Sequence, residues 1–295
     1  MEVTTTQYLL LKKKTISLFT FILIIVQIGH AQILNMNSDE SLFYHANQKY
    51  LEQAYDSALI LFDQILTSSN DPGLLTQVKY KIAFIQFNRE RYDEAIPILE
   101  DIVKSKYKNE GPDDDYYEAT GMLKYKSAVY LAEIYLEKGN FERAAGYIEL
   151  FDKKIRYKEF CGHEKVMDDL HTAFAYARLY HGLGETDKAI QALLPYIFSS
   201  ALITNEKLSA KLVELLEEKY SVSELKDFTE KAIHSLNIID SDTGFIEFIG
   251  FNIKVHSYSL YNFDDPNIED HLKLSGEEIL KTVVYTNPIF KRYIK

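Results

Sequence analysis

The chain has 295 residues, of which 46% are hydrophobic and 26% are charged, a length sufficient for one elongated or two compact domains. Asp and Glu outnumber Lys and Arg by 44 to 33, and the resulting net charge of −11 excludes the strongly basic surface that nucleic-acid binding requires. The single cysteine excludes an intramolecular disulfide and a cysteine-rich zinc site.

The N-terminus has the pattern of a secretory signal peptide. Three consecutive lysines precede the apolar run 15–29, and "GHA" at 29–31 places small residues at the two positions that a signal peptidase reads. The run is shorter than the roughly 20 residues of a membrane-spanning helix. We therefore expect residues 1–31 to be cleaved near Ala31 and the mature chain to be periplasmic or secreted. The alternative is an uncleaved N-terminal anchor, the only membrane association that the sequence suggests.

Residues 32–200 contain a fourfold repeat of two alanines twelve residues apart. Leu, Ile, Tyr and Phe flank the alanines at spacings of three and four, which is typical of amphipathic helices. The four alanine pairs are Ala46 and Ala58, Ala83 and Ala95, Ala132 and Ala144, and Ala177 and Ala189. The pattern predicts about four helical hairpins in tandem.

The alanines have a physical explanation as the closest point between two packed helices. Two helices joined by a short turn pack antiparallel, and where their axes cross only a side chain of about alanine size fits on each side. Between the alanines, Gly139 and Gly184 are expected to end the first helix in a left-handed conformation. Gln53 and Glu90 stand at the equivalent places, so those two turns are predicted to be less sharply specified.

This pattern resembles the tetratricopeptide repeat family over residues 38–198. The resemblance implies an α-solenoid, a right-handed superhelix of antiparallel helix pairs, whose concave wall is lined by the first helix of each pair. Two departures stand out. No copy has the tryptophan often found early in the first helix, and successive copies are 37, 49 and 45 residues apart rather than about 34.

The resemblance also implies a binding surface on the concave wall, next to the packing positions. The candidates for peptide binding are Phe43, Asn47, Tyr50, Tyr80, Phe84, Phe87, Phe174, Arg178 and His181. Some members of the family grip a C-terminal carboxylate with lysine, asparagine and arginine, but here only Asn47 and Arg178 resemble that set and they are three repeats apart. We do not expect that clamp. Two interpretations of the aromatic candidates stay open: a groove, or a core covered by the C-terminal segment.

After residue 200 the repeat fades. Residues 201–240 are predicted to form a divergent terminal helix pair, with Ser221 and Glu224 as a capping box. Residues 241–295 are predicted to be an α+β segment. Within it, 244–258 indicates a β-hairpin or, alternatively, a helix interrupted by Gly250. Ser275 and Glu278 are predicted to cap a last helix.

Signals of catalysis are weak. The stretch 161–171 contains Cys161, His163, Glu164 and His171, but its histidines are eight residues apart, whereas a helical zinc signature needs them four apart. A solvated loop is the preferred interpretation. The sequence contains no nucleophile-elbow, phosphate-loop or dinucleotide-binding motif. We therefore expect no enzymatic activity, no cofactor and no metal.

The sequence thus predicts a non-enzymatic, exported repeat protein that binds a peptide, a protein or an envelope assembly through its concave face. Two alternatives remain. One is a structural or assembly subunit whose groove is filled by its own chain. The other is an enzyme whose site lies in residues 241–295.

Overall fold

The computed structural model describes residues 38–106, 120–155, 162–198, 206–257 and 274–294, so the predicted signal peptide lies outside the described residues. The described chain is mainly helical and carries a small antiparallel sheet near its C-terminus, which confirms the predicted fold class at that level. The chain divides into two compact units, residues 1–123 and 124–295. We call them the N-terminal unit and the C-terminal unit.

The N-terminal unit contains two helix pairs. Within each pair the helices pack on each other, and α2 also packs on α3. Asp71 accepts hydrogen bonds from the amides of Gly73 and Leu74 and so caps α3, and Pro72 follows it as the first helical residue. The helices are α1 (Ser38–Leu51), α2 (Tyr55–Ser68), α3 (Pro72–Asn88) and α4 (Tyr92–Lys104), and α5 (Thr120–Glu137) continues into the C-terminal unit.

The C-terminal unit contains the remaining helices. The second helix of the third pair continues into a π-helical turn, Leu150–Lys154, and that of the fourth pair into a 3-10 turn, Leu194–Tyr196. The helices are α6 (Phe141–Glu149), α7 (Gly162–Gly182), α8 (Thr186–Leu193), α9 (Glu206–Lys219), α10 (Val222–His234), α11 (Gly276–Thr286) and α12 (Pro288–Tyr293).

All eight packing alanines are buried, each with at most 1% of its surface exposed. This is the burial that a close helix crossing requires. In the third pair the contact continues one helical turn further, where Tyr135 of α5 stacks on Tyr147 of α6 with ring centroids 5.7 Å apart. The neighbouring helices of a pair therefore meet along the stripe that carries the alanines.

The turn within each pair has the same backbone geometry in all four copies. Gln53, Glu90, Gly139 and Gly184 adopt positive φ angles of 59°, 57°, 65° and 76°. In each turn the amide of this residue donates to the carbonyl three residues earlier, and the next amide donates to the carbonyl five residues before it. This is the Schellman arrangement. The expectation of less specified turns at Gln53 and Glu90 is therefore wrong, because both turns close as the glycine turns do.

The hairpin interpretation of 244–258 is the correct one, with one short strand added. The sheet has the order β1 (Asn237–Ile238), β2 (Thr243–Phe248) and β3 (Phe251–His256), and both pairings are antiparallel. In β2 and β3, Ile246 faces Ile253, and both are buried on the side that packs on the helices. The chain turns through Ile249 and Gly250, both at positive φ, as a two-residue hairpin turn requires.

After the last alanine pair, α9 and α10 follow each other in the range 201–240. Both capping boxes are present, Ser221 with Glu224 and Ser275 with Glu278. The ring of Phe228 on α10 contacts the ring of Tyr220, which follows α9. However, α10 packs mainly on β2 and α12. The physical reason is the loss of the alanine spacing, because without small residues at a crossing two helices cannot approach as closely as the earlier pairs do.

Candidate binding surfaces

The first helices of the first, second and fourth pairs carry the candidate residues, each at the same offsets from its packing alanine. In the N-terminal unit two of them are buried and do not form an open surface. Phe43 is 4% exposed and packs against Phe62 with ring centroids 6.2 Å apart, and Tyr80 is 6% exposed. These two side chains are therefore part of the core, and Phe43 is covered by its own helix pair. Both lie three residues before the alanine, so the buried stripe of the helix extends to include them.

Three other aromatic candidates of the same unit are only partly buried, namely Tyr50, Phe84 and Phe87. We call them the aromatic surface. The rings of Tyr50 on α1 and Phe84 on α3 meet edge to face with centroids 6.0 Å apart. The ammonium group of Lys81 lies 4.5 Å from the centre of the Tyr50 ring, within the range of a cation–π contact. Tyr92 contacts the ring of Phe87 at 6.0 Å.

Asn47 lies one helical turn before Tyr50 on α1. Its side-chain oxygen Oδ1 is buried and has no hydrogen-bond partner among the described residues. A buried acceptor without a donor destabilises the folded state by about 1–3 kcal/mol.

In the C-terminal unit the candidates are polar and already paired. Arg178 donates to Glu137 at 2.6 Å and lies 3.6 Å from Glu133, both on α5. Its guanidinium also lies 5.9 Å from the centre of the Phe174 ring. The side chain of Arg178 is only 20% exposed, so these contacts hold it against its own helix and α5. The arginine is therefore neutralised by the chain itself.

His181 belongs to a second set of polar contacts, between α7 and α9. Its Nε2 lies 2.8 Å from a carboxylate oxygen of Glu218, and its Nδ1 lies 2.9 Å from the ammonium of Lys211. Both contacts form when the ring proton is on Nε2, which donates to Glu218 while Lys211 donates to Nδ1. Lys211 also pairs with Glu214 at 2.7 Å. The basic groups on this side of the unit are thus satisfied by its own glutamates.

Sequence reasoning missed Lys211, Glu214 and Glu218. They lie on α9, beyond the last alanine pair, where the alignment of copies no longer assigns residues to a face. Their spacing of three and four residues along one helix was the available signal.

Two tyrosine–carboxylate contacts lie elsewhere in the C-terminal unit. Burial raises the pKa of Tyr125, and the carboxylate of Asp168 raises it further. Burial likewise raises the pKa of Tyr176, whose hydroxyl donates to Asp152 at 2.9 Å. A raised pKa keeps each phenol protonated at neutral pH, and the Tyr176 hydroxyl is the one that donates a hydrogen bond to its carboxylate in this pair of contacts.

The preferred interpretation of 161–171 as a loop is wrong for its described part, because residues 162–171 form the first turns of α7. Cys161 and the side chains of His163 and Glu164 lie outside the described residues, and His171 is exposed on α7. Within the described ranges there is no group of three or more His, Cys, Asp or Glu placed to hold a metal ion. Among the same residues, no helix is both long and apolar enough to cross a membrane.

No protein-family model matches the chain, and neither curated proteins nor solved structures include a match. The tetratricopeptide resemblance therefore rests on the residues quoted above.

Proposed function

We propose that the protein is a non-enzymatic, exported repeat protein that binds an extended polypeptide segment through the first helices of its pairs. The aromatic surface carries this proposal. Its three partly exposed rings lie on the first helices α1 and α3, where the repeat pattern expects a ligand. Binding energy at protein interfaces is concentrated in a few aromatic anchors of this kind.

The chemistry of the aromatic surface indicates the class of partner. Tyr50, Phe84 and Phe87 favour apolar or aromatic side chains. After loss of residues 1–31 the chain has 30 basic and 43 acidic side chains, a net charge of −13. In this negative field, basic residues flanking the apolar segment would speed association.

The proposal includes a tetratricopeptide-like solenoid as the scaffold and export as the route to the partner. The four buried alanine pairs and the four identical turns support the scaffold. The lysines and the apolar run before Ala31 support export. N-terminal sequencing of the protein from the cell envelope or medium tests export: we expect Gln32 as the first residue, and an intact Met1 would contradict it.

The binding proposal is tested with the mature chain, residues 32–295, and a displayed library of random peptides. We expect enrichment of segments with aromatic and basic residues. Phe84→Ala should weaken the binding of the selected peptide by about 1–3 kcal/mol, while the helical circular dichroism signal of the protein stays unchanged. Tyr285→Ala is the matched control, because Tyr285 is an aromatic residue 53% exposed on α11.

Two results would contradict the binding proposal. One is a selected peptide whose affinity is the same for the wild type, Phe84→Ala and Tyr50→Ala. The other is binding that survives both substitutions and is lost only when residues 241–295 are changed, which would place the site in the C-terminal segment.

A further inference from the structure

The two units close their helix pairs with different residues in the same turn geometry. In the N-terminal unit the left-handed positions are occupied by Gln53 and Glu90, at φ 59° and 57°. In the C-terminal unit they are occupied by Gly139 and Gly184. A side chain with a Cβ is sterically strained in this region, whereas glycine is not. The N-terminal unit therefore stores backbone strain in both of its turns.

The helices that follow these turns differ in capping as well. Ala54 and Arg91 precede α2 and α4 and make no side-chain cap. By contrast, Asn140 precedes α6, and its side chain accepts a hydrogen bond from the amide of Arg143 at 3.2 Å. Glu185, which precedes α8, likewise makes no side-chain cap, so among the helices that follow these turns only α6 is capped. The backbone strain of the turns is therefore the feature that separates the two units.

The C-terminal unit has a larger continuous core. Its cluster of buried side chains connects α7 and α8 through α9 and α10 to the sheet and to α11 and α12. In repeat proteins each pair is stabilised by its own packing and by its neighbours, so pairs of different intrinsic stability open separately.

We propose that the N-terminal unit opens as a separate cooperative unit while the C-terminal unit stays folded, and that this opening regulates the aromatic surface. The second part rests on the proposed function. The aromatic surface lies wholly on α1 and α3, so it exists only in the closed state. A segment that binds it shifts the equilibrium toward the closed form, and the opening lowers the apparent affinity.

Hydrogen exchange of the mature chain, followed by mass spectrometry, tests the opening without any ligand. We expect the amides of α2 and α4 to exchange at least about tenfold faster than those of α6 and α8. The double variant Gln53→Gly, Glu90→Gly should slow exchange across the N-terminal unit by roughly tenfold, because each substitution removes the strain of one turn. Exchange in α8–α12 should not change.

The matched control is Gln64→Gly, the same substitution at an exposed position inside α2, where glycine destabilises the helix. It should speed exchange in the N-terminal unit. Equal exchange of α2, α4, α6 and α8 in the wild type would overturn the inference. So would a double variant that slows exchange in both units to the same extent, since the chain would then open as one block.

Peptide binding tests the proposed function separately from the opening of the N-terminal unit. The peptide selected on the mature chain should slow exchange in the N-terminal unit of the wild type and should bind more tightly to the double variant. If the two units open separately but the peptide is indifferent to Phe84→Ala, the inference on opening stands and the proposed function fails. If Phe84→Ala abolishes binding and the units exchange alike, the function stands and the inference fails.

Discussion

The substitution Ala132→Leu tests the helix crossing of the third pair. Ala132 on α5 is 1% exposed and Ala144 on α6 is fully buried, and the Tyr135–Tyr147 stack closes the space one turn further along. Leucine adds three carbon atoms at a position whose side chain is buried. Overpacking of this kind destabilises a fold by about 1–3 kcal/mol. For a chain of this size each kcal/mol corresponds to a fall in Tm of about 2–4 °C.

Thermal and urea unfolding followed by circular dichroism would measure this loss. Ala210→Leu is the control, because Ala210 is exposed on α9 and the same change there should alter the unfolding free energy by less than about 0.5 kcal/mol. Ala144→Leu alone should resemble Ala132→Leu. The double variant Ala132→Leu, Ala144→Leu should lower the unfolding free energy by less than the sum of the two single variants, because the first leucine already separates the helices. Unchanged stability in both single variants, or strict additivity in the double variant, would refute the crossing.

Two further predictions concern turn geometry and pH. Gly139→Ala should lower the unfolding free energy by about 1 kcal/mol, because Gly139 has φ +65°. Gly146→Ala should raise the unfolding free energy by up to about 1 kcal/mol, because Gly146 lies on the exposed side of α6, away from its ends, with open space around an added Cβ. Burial, ahead of the charge of Asp169, raises the pKa of Asp168, although the hydrogen bond from Tyr125 opposes the shift. The contribution of Asp168 to the unfolding free energy is therefore complete below the pKa that this carboxyl group has in the unfolded chain. The contribution is lost as the pH rises through the higher pKa that the same group has in the folded chain. Asp168→Asn should flatten the pH dependence of the unfolding free energy across this window, measured by urea titration between mildly acidic and neutral pH, and an unchanged pH profile would contradict the argument.

Periodicity in the sequence predicted which residues face the partner helix, and the eight alanines are buried accordingly. It does not predict how wide the buried stripe is, so the sequence leaves groove and core open for Phe43 and Tyr80, which the structure buries. The width depends on how neighbouring helices tilt, and that angle follows from packing rather than from spacing within one helix. The contacts of His181 with α9 were unpredictable for a similar reason, because they join helices from different copies.

The turns show the converse case, in which packing imposes a geometry that the local sequence does not favour. The glycines at 139 and 184 predict a left-handed turn. The residues around Gln53 and Glu90 contain no such signal. Those turns nevertheless have the same hydrogen bonds. The alanine crossing on either side explains this, since closing two helices onto fixed contact points leaves the connecting residue only one conformation.

The spacing of these points gives a last prediction. In every copy the left-handed residue follows the first alanine by seven positions and precedes the second by five. Seven residues are close to two turns of an α-helix, so the first alanine and the turn lie on the same side of the first helix. Inserting one alanine after Glu142 rotates Ala144 by about 100° relative to Gly139, away from α5. This insertion should lower the unfolding free energy at least as much as Ala132→Leu does, by about 1–3 kcal/mol. The control is the same insertion after Lys108, between the second and third copies, where the spacing of copies already varies from 37 to 49 residues. Urea unfolding of both variants measures the difference, and equal stability of the two would show that the twelve-residue spacing does not set the packing of the pair.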